Sequence, residues 1–344
     1  MSETLTITRP DDWHLHFRDG GMLNGTVPAT ARVFRRAIVM PNTVPPVINA
    51  GHAAAYRERI LNAVPAGVDF EPLMVIYLTD ATTARDIADA AASGIVFGAK
   101  LYPAGATTNS DSGVRDPAGI MHLYEALEKH DLPLLLHAEV TESEIDVFDR
   151  EKVFIDRYLN DIRTRFPALR IVFEHVTTLE GVQFVRDAGD LTAASVTPQH
   201  LMMNRNDLLV GGVHTHNYCL PVLKRRDHQQ VIQQVVLSGH PRFFLGTDSA
   251  PHARHRKEAA CGCAGCYSAP AALELYATFF EEFNALDKLE AFASHFGPDF
   301  YRLPRNSDTV TLVRESWQVP DAQEMDGQPV VPWQAGRTLH WKLR

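Results

Sequence analysis

Cysteine is scarce: four in 344 residues, too few for the disulfide framework of a small secreted domain. Basic residues are in the minority, 33 Lys and Arg against 42 Asp and Glu, for a net charge of −9. A chain so balanced has no basic stripe to offer nucleic acid, and an anionic substrate must be drawn in by local charge. No apolar run approaches the roughly 20 residues that cross a bilayer. Met1 to Pro10 lacks the apolar core of a secretory leader. The expectation is a cytoplasmic protein with neither nucleic acid nor membrane as partner. Also missing is any G-x-G-x-x-G or P-loop pattern behind a strand, which argues against an open nucleotide-binding sheet.

What is present is a regular alternation. Apolar runs near Asp12–Phe17, Ala37–Met40, Leu73–Leu78, Phe97–Leu101, Pro133–His137, Arg170–Glu174, Leu191–Val196 and Arg242–Gly246 read as strands. They are rich in Val, Ile, Leu and Phe without strict alternation, as strands covered on both faces are. Between them Ala53, Tyr56, Ile60 and Leu61 recur at helical period. So do Ala84, Ile87, Ala88 and Ala91, and again Ile120, Leu123, Tyr124 and Leu127. Eight strands alternating with helices predict an α/β fold, a (β/α)8 TIM barrel occupying residues 1–344 as one domain. Thr309–Val313 and Thr338–Lys342 are expected as short additional C-terminal elements outside it. Three long connections, Pro103–Asp116, His200–Pro221 and Ser249–Pro270, read as lid or binding loops.

The unusual polar residues fall where such a barrel keeps its chemistry. His14 and His16 close the first run, Lys100 the fourth, His137 the fifth, His175 the sixth and Asp248 the eighth. The C-terminal ends of all barrel strands meet on one face. Side chains alternate along a strand, so His14 and His16 both face the axis while Leu15 faces the helices. Imidazoles with one carboxylate suit zinc or a similar divalent ion better than magnesium or calcium. Each histidine alone is an ordinary strand-end polar residue; the set in this order is a metal site. Lys100 has two readings. Burial among cations lowers a lysine's pKa and opens the way to a carbamate that bridges two metals. Alternatively its ammonium binds the anionic end of a substrate.

Two other clusters read differently. His214-Thr215-His216 follows Gly211-Gly212 in a loop without companion ligands, and is expected at the surface. Cys261, Cys263 and Cys266, with Cys219 apart, lack the paired C-x2-C spacing of a structural zinc site. They are expected as thiols of a loop near the active site.

Asp12-Trp13-His14-Leu15-His16-Phe17-Arg18-Asp19-Gly20 resembles the signature of the dihydroorotase family, in the shorter bacterial class of the amidohydrolase superfamily. Met40-Pro41-Asn42-Thr43, Ala99-Lys100-Leu101-Tyr102-Pro103 and Gly246-Thr247-Asp248-Ser249-Ala250-Pro251-His252 extend the likeness from about Arg9 to Tyr301. The resemblance implies a zinc-dependent hydrolase of cyclic amides that reversibly condenses N-carbamoyl-L-aspartate to L-dihydroorotate and water. It implies two Zn2+ per chain. His14, His16 and Asp248 would hold one and His137 and His175 the other, with carbamylated Lys100 as the bridge. Asp248 would also be the general acid/base. Arg18, Asn42 and His252 would bind the substrate carboxylate, backbone at Leu220 and Ala264 the ring amides, and Thr107 and Thr108 would sit on a mobile lid. A homodimer is implied too. Because Arg18 lies two residues beyond His16, alternation points it into the same mouth. The rival readings are another cyclic amidase (hydantoinase- or allantoinase-like), a mononuclear-zinc deaminase, and a non-catalytic binding protein on the same fold.

Overall fold

A computed structural model describes residues 3–344, so Met1 and Ser2 of the stretch Met1–Pro10 lie outside the described residues. After β1 (Thr4–Thr8) come eight short strands: β2 (Asp12–Leu15), β3 (Arg36–Val39), β4 (Glu71–Tyr77), β5 (Val96–Leu101), β6 (Leu134–Leu136), β7 (Ile171–Phe173), β8 (Thr192–Val196) and β9 (Phe243–Leu245). Each pairs in parallel with the next, in chain order from β2 to β9. Asp248 N–H donates to His14 O at 2.8 Å and His16 N–H to Ser249 O at 2.9 Å, which joins the last strand end to the first. The fold is a TIM barrel, as the alternation predicts.

Two apolar layers follow from the pleat. Ile38, Leu73, Val75, Leu135, Val172, Ala193 and Phe244 fill the barrel interior, while Ala37, Val39, Met74, Leu134, Leu136, Ile171 and Phe173 face the helices. The interior is closed at its N-terminal end by the helix Phe296–Tyr301, whose Tyr301 ring stacks on Trp13 at 4.4 Å. A register shift between Asp12 and Leu15 lets Trp13 join the interior layer while Leu15 stays with the helices. The expected helices are present. Asn49 caps Ala50–Asn62, which buries Ala53, Tyr56 and Ile60, whereas Leu61 is exposed. A Thr83–Asp86 capping box starts Ala84–Ala92, which buries Ile87 and Ala90 rather than Ala84, Ala88 or Ala91.

Outside the barrel, β1 pairs with β10 (Thr309–Gln318), and β11 (Gln323–Met325) forms a hairpin with β12 (Gln328–Val330). β13 (Thr338–Leu343) completes an antiparallel sheet in the order β1-β10-β13. Both expected C-terminal strands are there; their N-terminal partner β1 was not anticipated, because five residues carry too little pattern to read. The connection His200–Pro221 is not a plain loop. It holds the end of the helix Pro198–Met202 and all of Arg205–Leu209, each opened by a polar N-cap, Thr197 and Asn204.

The strand entry at β2 and β3 depends on one buried ion pair. Arg36 donates to both oxygens of Asp11, at 3.0 and 2.6 Å, and Asn306 adds a bond at 2.9 Å. Removing one member strands the other in a dry site. Asp11→Ala should therefore cost about 3–5 kcal/mol in denaturant unfolding; a change under about 0.5 kcal/mol, the size of an ordinary surface substitution, would contradict this.

Candidate metal centre and active site

The seam between the first and last barrel strands builds the centre. The buried Asp12 carboxylate accepts from Thr247 N–H at 2.9 Å, Thr247 Oγ1 at 2.6 Å and His14 N–H at 3.1 Å. It thereby fixes His14 against the Gly246-Thr247-Asp248 turn. Gly246 is required there: a Cβ would lie 2.7 Å from Ser195 Cβ and 3.2 Å from His14 Cβ. Past the strand ends the backbone turns sharply. Arg18, His175 and Asp248 all have left-handed backbone, with φ of 65°, 42° and 45°. Such strain outside glycine collects at functional sites.

Among the described residues two groups of buried side chains are close enough to hold a metal ion, His14/His16/Asp248 and His14/Glu174/His175, with ligand atoms within 4.8 Å of one another in each. His16 Nε2 and His14 Nε2 lie 3.1 and 3.3 Å from Asp248 Oδ1, and His14 Nδ1 lies 3.0 Å from Glu174 Oε1. The residues fit a metal. Both ring nitrogens of His14, Nδ1 of His175 and Oε1 of Glu174 are buried and make no hydrogen bond, the 3.0 Å approach of His14 Nδ1 to Glu174 Oε1 lacking the alignment for one, a costly arrangement unless something else satisfies them. Burial lowers the pKa of His14, His16 (to about 4), His137 and His175. The imidazoles are thus neutral near pH 7, as ligation requires. Burial pushes the Asp248 carboxyl up, but His14 and His16 outweigh it and hold Asp248 well below the usual carboxylate range.

The expected bridge is not the one found. The residue common to the two groups is His14. Lys100 is fully buried and ion-paired with Glu174, so two zinc ions joined by a carbamylated Lys100 must be set aside. The physical reason is that the Lys100 amine is already engaged by a carboxylate of the same dry site. Nor does Lys100 line the cavity where a substrate anion would sit. Glu174 is the residue that sequence reasoning passed over in favour of His175, yet it is in phase with interior Val172 and therefore faces the axis. His137 stands outside both groups: its ring is 4.8 Å from that of His175, and its Nε2 is 2.8 Å from Glu139 Oε2.

Above the groups opens a cavity lined by His14, His16, His137, His175 and Asp248 together with Arg18, Asn42, Thr107, Thr108, Leu220 and Ala264. Of the expected site residues only Lys100 and His252 do not line it. His252 is one step behind, its Nε2 2.8 Å from Arg18 NH2 and 2.8 Å from Ala264 O. Asn42 joins His16 to the loop, with Oδ1 2.8 Å from His16 Nδ1 and Nδ2 donating to Thr108 O at 2.9 Å. Arg18 has no carboxylate partner among the described residues; Asp19 is taken by Arg59 at 2.7 Å. The left-handed turn at Arg18, whose carbonyl accepts from the Tyr56 hydroxyl, swings the guanidinium inward. His214 and His216 lie apart, bonded to Val210 O and Glu258. All four cysteines are free, with Cys219 and Cys266 buried.

A sequence profile of the Amidohydrolase family matches residues 8–311. A dihydroorotase of Alcanivorax borkumensis is 71% identical over 343 residues, spanning 100% of both chains. The chain belongs to the dihydroorotase family. As a member of it the chain is a metal-dependent cyclic-amide hydrolase. Its fold is similar to two solved dihydroorotases. That of Campylobacter jejuni is 33% identical with a TM-score of 0.91 over 100% of this chain and 98% of that one. That of Saccharomyces cerevisiae, in complex with 5-fluoroorotic acid, is 31% identical with a TM-score of 0.92 over 99% and 98%.

Proposed function

We propose that the chain reversibly condenses N-carbamoyl-L-aspartate to L-dihydroorotate and water, in de novo pyrimidine synthesis. The observation that carries this reading is the unpaired Arg18 guanidinium in the same cavity as the two ligand groups. A cyclic amide brought to the metal thus meets a cation built for a carboxylate. The dihydroorotase of Saccharomyces cerevisiae was solved with 5-fluoroorotic acid, a pyrimidine bearing a carboxylate. Arg18, with Asn42 and His252 beside it, binds that carboxylate here. Backbone at Leu220 and Ala264 meets the ring amides, and Thr107 and Thr108 cover the mouth.

His14, His16 and Asp248, and His14, Glu174 and His175 with His137 beside them, would hold zinc, which when bound would supply a water of lowered pKa and polarise the scissile carbonyl. Asp248 moves the proton. In ring opening it takes one from the attacking water and delivers it to the departing ring nitrogen; in ring closure the path reverses. We also propose that residues 1–344 act as one domain, in the cytoplasm and as a homodimer. Leu312 and Trp341 of the outer sheet share the core of the barrel's helical layer, and exposed Leu209, Val210 and Val213 offer an apolar patch for a second copy. Among the described residues no helix is long and apolar enough to cross a membrane.

Exhaustive chelation should abolish dihydroorotate hydrolysis, and added zinc should restore it, with bound metal followed by elemental analysis. Full activity in metal-free protein would contradict the reading.

A further inference from the structure

Lys257 ends the short helix Arg254–Lys257 and is buried, at 3% exposure, with no carboxylate partner among the described residues. A buried ammonium without a counterion is costly unless each of its three protons finds an acceptor. Here each does. Lys257 Nζ donates to Tyr218 O at 2.9 Å, Cys263 O at 3.0 Å and Gly265 O at 2.8 Å. These carbonyls come from two segments far apart in sequence. One, Tyr218 to Leu220, brings Leu220 to the cavity; the other, Cys263 to Gly265, brings Ala264. Gly265 N–H also donates to Tyr218 O at 2.9 Å, so the two segments are tied at one point.

The direction of the peptides matters. The carbonyls of Cys263 and Gly265 turn to Lys257, while that of Ala264 between them turns to His252, at 2.8 Å from Nε2. Gly265 sits at φ 144°, and a Cβ there would meet Ala250 O at 2.7 Å, so the segment has little freedom to settle otherwise. We propose that Lys257 is a positioning residue for substrate recognition: its ammonium gathers three carbonyls and so sets the backbone edges at Leu220 and Ala264 that read the substrate ring. This rests on the proposed contact of those edges with the ring amides. An arginine would not replace it, because a planar fork cannot direct three protons to three carbonyls converging on one atom.

Lys257→Met keeps the stem and removes the donors. On dihydroorotate we expect KM to rise roughly 10- to 100-fold with kcat within about threefold, and metal content unchanged. A purely structural lysine would lower the thermal midpoint and leave KM alone; that result overturns the proposal. Lys257→Gln, which retains an N–H donor group, covers the case of a Met variant that does not fold. It should show a smaller KM rise in the same direction, and an unchanged KM in that folded variant is equally fatal. A second substrate separates the proposal from its premise: dihydroorotate methylated at the ring nitrogen attached to the carboxylate-bearing carbon, the ring nitrogen that stays out of the reacting amide. The unmutated protein should discriminate against it, and the Lys257 variants should discriminate less. Discrimination that survives undiminished in the variants overturns the role of Lys257 while leaving the backbone reading intact. No discrimination by the unmutated protein removes the premise and the proposal together.

Discussion

Asp248→Asn should reduce turnover in both directions by about 100- to 10,000-fold, the contribution of a positioned proton-transfer group. The substitution keeps the shape of the side chain and its place between His14 and His16, whose Nε2 atoms lie 3.3 and 3.1 Å from Oδ1. It removes the basicity that would accept a proton from water. Because Asp248 also belongs to one of the two metal-holding groups, bound metal must be measured on the same preparation. A variant that retains metal and loses turnover assigns the proton to Asp248. One that retains metal and works within tenfold of the unmutated protein shows that the proton travels another way.

Arg18→Met carries the second large effect. The guanidinium has no acid to pair with among the described residues, donates to Pro251 O at 3.2 Å, lies 2.8 Å from His252 Nε2, and lines the cavity over the ligand groups. If it holds the substrate carboxylate, its loss leaves a desolvated anion short of partners. That should cost roughly 2–5 kcal/mol of transition-state stabilisation, or about 30- to several-thousand-fold in kcat/KM on dihydroorotate. The fold and the metal content should survive, since no barrel contact depends on a salt bridge of Arg18. A loss below fivefold would mean that the carboxylate is bound elsewhere.

Much of this was legible in the chain itself, for reasons that differ from residue to residue. The alternation of apolar runs with helical periods suffices for the barrel, because each strand is covered on both faces. The ends of those runs are harder to read. β2 stops at Leu15 rather than Phe17, and β9 at Leu245 rather than Gly246. His16 and Asp248 therefore stand just past the ladder. Arg18 reaches the cavity as expected, but through a left-handed turn at φ 65°, not through strand alternation. Glu174 is in phase with interior Val172, but a lone carboxylate at a strand end carries less metal signal in sequence than the histidine beside it. The pairing of Lys100 with Glu174 joins β5 to the residue just beyond β7, and no local pattern announces such a contact across the barrel axis. The same holds for Lys257, whose three acceptors lie on two loops that composition alone marks only as long.

The most direct test of the central claim is a substrate panel on the unmutated, metal-replete protein: dihydroorotate, dihydrouracil, hydantoin and allantoin under identical conditions. All four present a cyclic amide to the metal centre, and only dihydroorotate carries the carboxylate that the Arg18 guanidinium would read. Dihydroorotate should be hydrolysed at least about 30-fold more efficiently than dihydrouracil, matching the lower bound for a desolvated carboxylate contact. Equal turnover of dihydrouracil and dihydroorotate would contradict the account and leave a cyclic amidase that does not read the carboxylate.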